Sequence, residues 1–404
     1  MMEQLPKGWN LAKLEDLLNY IQPTNYIVES TDYRDTYSTP VLTAGKSFIK
    51  GYTNEVTGIF SKLPCIIFDD FTTASRFVNF PFKVKSSAMK ILVPKHEDVN
   101  IRFAYYFMQT LNIKGETHKR FWISEYSKLP IPLPSPKEQH LIVSKIKQLF
   151  TELDKGIEYL QTAKQQLKVY RQAVLKWAFE GKLTNEKSIR KGVLSDVIES
   201  VEYGSATKSL KEGKIPVLRM GNIQNGKFEW DDLVYTNDER EIQKYQLKKN
   251  DVLFNRTNSP EWVGKTAIYK GERPAVFAGY LIRINFNNAK LDSQFLNYFL
   301  NSQEAKNHGN KVKSFGVNQS NINGTKLKQY PFPICDIESQ KRIVKQVESR
   351  LSVCDKIEEI IENSLQQAEA LRLSILKKAF TGKLVPQESE AIKQKKIKNE
   401  SYNK

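Results

Sequence analysis

Two stretches of the chain are copies of one another at a constant offset of 201 residues, and this duplication limits what the chain can fold into. The first, residues 129–183, begins LPIPLPSPKEQHLIVSKI and ends AVLKWAFEGKL; the second, residues 330–384, begins YPFPICDIESQKRIVKQV and ends SILKKAFTGKL. They align without a gap, and about a third of the 55 positions are identical. The identities include Pro130/Pro331, Gln139/Gln340, Asp154/Asp355, Arg171/Arg372, Leu175/Leu376 and the closing Gly-Lys-Leu. One unit is used twice.

Each copy reads as a long helix led by proline. The entry Leu129-Pro-Ile-Pro-Leu-Pro cannot be helical, because each proline lacks an N–H and restricts the residue before it. Ser135-Pro136-Lys137-Glu138 then supplies a cap, a proline at the first helical position and an acidic first turn, and Gly181 supplies the stop. In between, Ile146, Leu153, Leu160, Leu167 and Val174 fall at seven-residue steps. Ile142, Leu149, Ala163, Tyr170 and Trp177 fill most companion positions, with Gly156 the weak one. That spacing predicts a coiled-coil seam on a helix of about 65 Å. The second copy repeats the steps at Val347, Cys354, Ile361, Ala368 and Ile375, but Arg350, Ser364 and Lys378 stand at companion positions. Leu351 and Leu365, one residue later, point to a drifting stripe. The first helix is therefore expected to supply most of the apolar surface of a shared seam.

A variable segment precedes each copy. In the first, Trp9, Leu11, Leu14, Leu17 and Leu18 predict an opening helix, followed by the strand-like runs TPVLTAG, SFIKGYT, LPCIIFDDF, RFVNFPFKV and AMKILVP and by a helix over residues 101–111. The second parallels it: an opening helix (VLSDVIESV), the runs KIPVLRMGNI, GKFEW, DVLFNRTNS, WVGKTAIYK and AVFAGYLIRINF, then the helical FLNYFLNSQ. The expected class is α+β: two similar α/β domains and two long coiled-coil helices in an internal repeat.

At 404 residues the chain has room for two or three domains. Its net charge is +17, of which the last 19 residues carry five Lys and three Glu, so +15 belongs to the body. An excess of that size points to a polyanion, most often nucleic acid. Cys65, Cys335 and Cys354 are far apart, as are His96, His118, His140 and His308, so neither a zinc site nor a disulfide framework is indicated. No apolar run approaches the length of a bilayer span, and MMEQLPKGWNLAKLEDL lacks a signal-peptide core, which places the expected location in the cytoplasm.

Catalytic motifs are not indicated either. The nearest approach to the D/N-P-P-Y/F loop of an amino-methyltransferase is Asn79-Phe-Pro-Phe, with phenylalanine where the first proline belongs; a buried aromatic strand explains it better. No G-x-x-x-x-G-K-S/T phosphate loop occurs. Asp69-Asp70 has no partnering E-x-K and reads as a turn at a strand end.

A variable α+β segment, a proline-led helix ending in A-F-x-G-K-L, and the same pair again: this resembles the specificity (S) subunit of type I restriction–modification systems. The resemblance covers nearly the whole chain apart from the tail. It rests on Glu138-Gln139, Asp154 and AFEGKL, on SQKRIV and AFTGKL, and on LRMGNI, DVLFNRTNS, VGKTAIY and AGYLIRI, with PVLTAG and CIIFDDF in the first segment. The second copy departs from it at Ser339, where the first has Glu138. The resemblance implies two target-recognition domains (1–134 and 185–334), each reading half of a split double-stranded DNA site. From its composition the basic tail (386–404) is expected to be disordered, while the resemblance also implies two conserved spacer helices (135–184 and 335–385), packed antiparallel in a pseudo-twofold repeat. It implies no catalysis in this chain. Two modification subunits would use S-adenosylmethionine to methylate adenine, and restriction subunits would use ATP and Mg²⁺ to translocate and cut.

Base reading calls for Arg, Asn or Gln, and phosphate contact for Lys, Arg, Ser or Thr on loops. The candidates in the first segment are Lys46, Lys50, Tyr52 and Thr53; Thr72, Thr73 and Arg76; and Lys119 and Arg120. Those in the second are Arg219 and Asn222; Asn255, Arg256, Asn258 and Ser259; and Lys311, Lys313, Ser314, Asn318 and Gln319. For each one a structural role competes: the asparagines could fix turns, and the arginines could pair with carboxylates. Trp177, Phe179, Ile375 and Phe380 crowd the helix C-termini and are expected to dock the modification subunits. Two other readings stay open. One is the recognition subunit of another bifunctional restriction–methylation (type IIB/IIG-like) system; the other is a coiled-coil scaffold without DNA readout.

Overall fold

A computed structural model describes residues 5–45, 47–111, 113, 121–316 and 319–386. The two long helices span Pro136–Phe179 and Ile337–Phe380, so the offset of the repeat is kept at both ends. Ser135 Oγ accepts from Glu138 N, and Asp336 Oδ1 does the same for Ser339 N, which caps both starts. Gly181 and Gly382 stop the helices at φ of 75° and 69°, where a Cβ would be strained. The proline-rich entries are strands. Pro130–Leu133 pairs antiparallel with Asn10–Lys13, and Pro331–Ile334 with Arg190–Val193. A two-stranded ribbon has only edges, so prolines without an N–H are tolerated there.

The chain divides into two compact units, Met1–Leu160 with Asn363–Lys404, and Gln161–Glu362. Each long helix gives its first half to one unit and its second half to the other. The identities of the repeat become contacts through this exchange. Asp154 of the first copy pairs with Arg372 of the second inside one unit, and Arg171 pairs with Asp355 at 2.7 Å inside the other. Lys164 joins Glu362 at 2.7 Å and Arg171 also reaches Glu358 at 3.0 Å, so the numbering falls on one helix as it rises on the other. The helix segments within each unit are antiparallel, as expected.

Gln139 and Gln340 are identical for a similar reason. Gln139 Oε1 accepts from Asn100 N at 3.0 Å while its amide donates to Pro134 O; Gln340 Oε1 accepts from Asp292 N at 2.8 Å while its amide donates to Cys335 O. Asn100 and Asp292 cap the helices Ile101–Met108 and Ser293–Leu300, so one glutamine locks each domain helix to the start of a long helix. The departure at Ser339 also has a cause. Glu138 Oε1 accepts from the Trp9 indole N–H at 3.0 Å. In the strand register of the second copy the place of Trp9 falls to Ile189, whose side chain has no N–H to satisfy.

The seam differs from expectation. All five seven-residue steps of the second helix (Val347, Cys354, Ile361, Ala368, Ile375) are buried, whereas Leu153, Leu160 and Leu167 of the first are only half-buried. The small Cys354 and Ala368 are buried, at 1% and 7% exposure, while the larger leucines of the first helix keep an edge in solvent. Tyr170 and Trp177 leave the seam and are exposed, because a straight helix drifts out of a strict heptad. Arg171, Leu175 and Ala178 occupy the inner face there instead.

In the first unit, strands Leu18–Ile21, Met89–Pro94, Cys65–Asp69 and Ser75–Val78 form an antiparallel sheet in that order. It is buried on both faces: Ile66 and Phe68 point to the core shared with the long helices, and Cys65 and Ile67 to a second core. Strands Ile49–Thr53, Thr39–Leu42 and Lys83–Val84 make a smaller sheet. The second unit repeats both, with Ser200–Tyr203, Leu281–Asn285, Val252–Asn255 and Thr266–Ile268, and with Val234–Thr236, Ile215–Leu218 and Val276–Phe277. The opening helices are shorter than expected: one turn, Leu14–Leu17, between two strands, and a 3₁₀ turn, Leu194–Asp196. Leu11 faces solvent on a strand, so the apolar spacing there mixes strand and helix periods.

Candidate nucleic-acid interface

In the first unit, Lys46, Lys119 and Arg120 lie outside the described residues. Lys50 is exposed and Tyr52 half-buried on one strand, but Thr53 is fully buried and its hydroxyl accepts from Glu55 N. At the next turn Asp69 Oδ1 accepts from Phe71 N and Thr72 N, which confirms the turn reading of the Asp69-Asp70 pair. Asp70 is buried against Lys90 at 3.5 Å and accepts from Trp122 N. Thr72 is exposed, whereas Thr73, at a φ of 57°, donates its hydroxyl to Ile113 O. Arg76 Nη2 donates to Gly45 O at 3.4 Å, which draws two of the candidate loops together. Phe82 of the Asn79-Phe-Pro-Phe stretch is fully buried beside Phe60, a core position. Among the described residues no group of three or more His, Cys, Asp or Glu could hold a metal ion.

In the second unit the candidates sort into scaffolding and surface. Asn222 is buried, its amide donating to Glu229 O and Asp231 O. Asn255 is fully buried and its amide donates to Trp262 O, closing the loop over residues 256–264. These asparagines shape loops and have no edge to offer a base. Arg256 Nε donates to Gly279 O at 2.9 Å with its guanidinium over the Tyr203 ring. Lys313 is held by Pro260 O and Asn310 Oδ1, and Ser314 by Lys326. Lys311 and Gln319 are exposed, Ser259 is half-buried, and Asn318 lies outside the described residues.

Two of the remaining candidates, Arg219 and Asn258, line one cleft of about 380 Å³ together with Gly221, Gln224, Trp262 and Lys265. Arg219 Nη2 donates to the Asp232 carbonyl at 2.5 Å and to its carboxylate at 3.1 Å. Lys265 Nζ lies 4.0 Å from the centre of the Trp262 ring and donates to Gln224 Oε1 at 2.9 Å. Burial in this wall lowers the pKa of the Lys265 ammonium. Trp262, Lys265 and Gln224 were not among the sequence candidates. The spacing of an exposed tryptophan three residues before a lysine, inside a loop bounded by Asn255, was the available signal. Of the expected docking residues, Phe179, Ile375 and Phe380 are buried in the cores, so only Trp177 has surface to present.

The type I restriction modification DNA specificity domain matches the chain twice, over residues 6–163 and 189–369. The EcoR124I/EcoR124II specificity subunit of Escherichia coli is 44% identical over 186 residues, 43% of this chain and 44% of that protein. The MjaVIII specificity subunit of Methanocaldococcus jannaschii is 24% identical over 416 residues, 94% of both. A chain from a solved type I restriction–modification system superimposes with a TM-score of 0.71 at 15% identity, covering 95% of this chain and 100% of that one. The E. coli match thus spans less than half of that relative's length. The two domain matches cover most of the chain, leaving out residues 1–5, 164–188 and 370–404, and they assign the family: the chain belongs to the type I restriction modification DNA specificity domain family.

Proposed function

We propose that the chain is the non-catalytic specificity subunit of a type I restriction–modification complex, each recognition domain reading one half of a bipartite duplex site. The observation that carries this reading is the reciprocal pairing of Asp154 with Arg372 and Arg171 with Asp355: two different readers are built on one repeated support. The excess of +15 outside the tail supplies the attraction to the phosphate backbone. Methylation of adenine with S-adenosylmethionine, and ATP- and Mg²⁺-dependent cleavage, belong to partner chains in the cytoplasm. Mapping methylated adenines in a cell that carries this chain and its methyltransferase partner should give a split motif with one modified adenine in each half. A continuous palindrome would overturn the two-reader reading.

The repeat also supports two copies of the modification subunit. Large exposed apolar side chains recur at equivalent positions of the two helices: Tyr159 and Ile360, 72% and 62% exposed, and Tyr170 and Leu371, 38% and 51%. Two like surfaces fit two like partners. Tyr159→Asp with Ile360→Asp is expected to abolish co-purification with a co-expressed methyltransferase chain while leaving the melting temperature unchanged. Retention of the full complement would place docking elsewhere.

A further inference from the structure

The cleft around Trp262 holds two cationic donors that the fold has already oriented. Arg219 is anchored through Nη2 alone, by the carbonyl and carboxylate of Asp232; among the described residues its Nη1 and Nε have no hydrogen-bond partner. Lys265 has three N–H groups. Gln224 Oε1 takes one at 2.9 Å and Ile223 O lies 3.4 Å away, with the Trp262 ring beneath. Gln224 is itself fixed, its amide donating to Gly221 O at 3.1 Å. Both cations are thus pre-set hydrogen-bond donors on the wall of one cleft.

The partner of such a wall must present acceptors close together. In the major groove guanine does so with O6 and N7, whereas adenine pairs an acceptor with a donor and cytosine offers a donor. A phosphate would also accept from these donors, but the Asp232 carboxylate on the same wall opposes a full negative charge more strongly than the partial charges of a neutral base edge. We infer that this cleft is the guanine-reading subsite of the second recognition domain, with Arg219 and Lys265 as the reading donors and Asp232, Gln224 and Trp262 as positioning residues. The inference rests on the DNA-reading function proposed above and adds the base and the side chains.

Gly221 provides a probe that spares the fold. Its φ is not in the left-handed region and a Cβ there meets no atom within 4 Å, so Gly221→Leu places its side chain in open space at the cleft. The test is selection of a randomised duplex library by the full-length chain, wild type against Arg219→Ala, Lys265→Met and Gly221→Leu, with melting temperatures recorded alongside. The wild type should enrich a bipartite motif containing a G·C pair. Arg219→Ala and Lys265→Met should each lower the preference for guanine at the same position by about ten- to a hundredfold, other positions being unchanged. Gly221→Leu should lose the selected site without a change in melting. A uniform loss of affinity over all sequences would assign the cations to a phosphate and overturn the inference, as would variants that enrich the wild-type motif unchanged. A wild type that enriches no motif would sink the DNA-reading function itself.

Discussion

Phe380→Ala is expected to destabilise the first unit by about 3–5 kcal/mol, the cost of emptying a buried aromatic site. The second unit should be left untouched. Phe380 lies on the last turn of the second long helix, yet its ring packs on Phe103 and Phe107 of the first recognition domain, with centroids 5.0 and 5.2 Å apart. Its counterpart Phe179 packs on Phe295 and Phe299, both at 5.2 Å, so Phe179→Ala should weaken the second unit alone. Hydrogen exchange separates the two outcomes. In Phe380→Ala the amides of Cys65–Asp69 and Met89–Pro94 should lose protection, while those of Val252–Asn255 and Leu281–Asn285 keep theirs. If the substitution frays only the last helical turn, the helix end is an appendage and the exchange of helix halves between units carries no stability.

That result bears on what the sequence disclosed. The repeat, its offset and the helix limits were readable because capping residues, prolines and terminal glycines act locally. The strands were readable for the same reason: residues 65–68 are a continuous apolar run, as a strand buried on both faces demands. Phe179 and Phe380 were misplaced because a crowded aromatic helix end looks the same whether it meets a partner or its own chain; only the tertiary packing distinguishes them. Asn222 and Asn255 were misjudged in the opposite sense. Their amides suit adenine, but both are spent on backbone carbonyls several residues away, a use no spacing rule reveals. The cleft was half-legible: Arg219 and Asn258 came from composition, whereas Lys265 needed the fold to set it on Trp262 and against Gln224. The relation between Ser339 and Ile189 shows the limit most clearly, since the loss of Glu138 in the second copy becomes intelligible only once strand pairing aligns Ile189 with Trp9.

Binding of the full-length chain to its duplex site should fall steeply with salt. Two recognition domains that together neutralise on the order of six to ten phosphates would lose about 10³–10⁵ in affinity between roughly 50 and 200 mM salt. The charge argues for this range, since +15 lies outside the tail, and Lys50 and Lys311 stand exposed on the two domains without a carboxylate partner among the described residues. The cleft cations behave differently. Arg219 and Lys265 are already neutralised or desolvated by Asp232 and Trp262, so replacing either should change which sequence is bound more than the slope of log affinity against log salt. Replacing Lys50 or Lys311 with glutamine should do the reverse, flattening the slope by about one unit and weakening all sequences alike. Titrations at four or five salt concentrations measure both quantities together. A wild-type slope near zero would remove the phosphate backbone as the source of affinity and return the scaffold reading to first place. A steep slope that Lys50→Gln and Lys311→Gln leave unaltered would keep DNA as the ligand but move its track to another face of each domain.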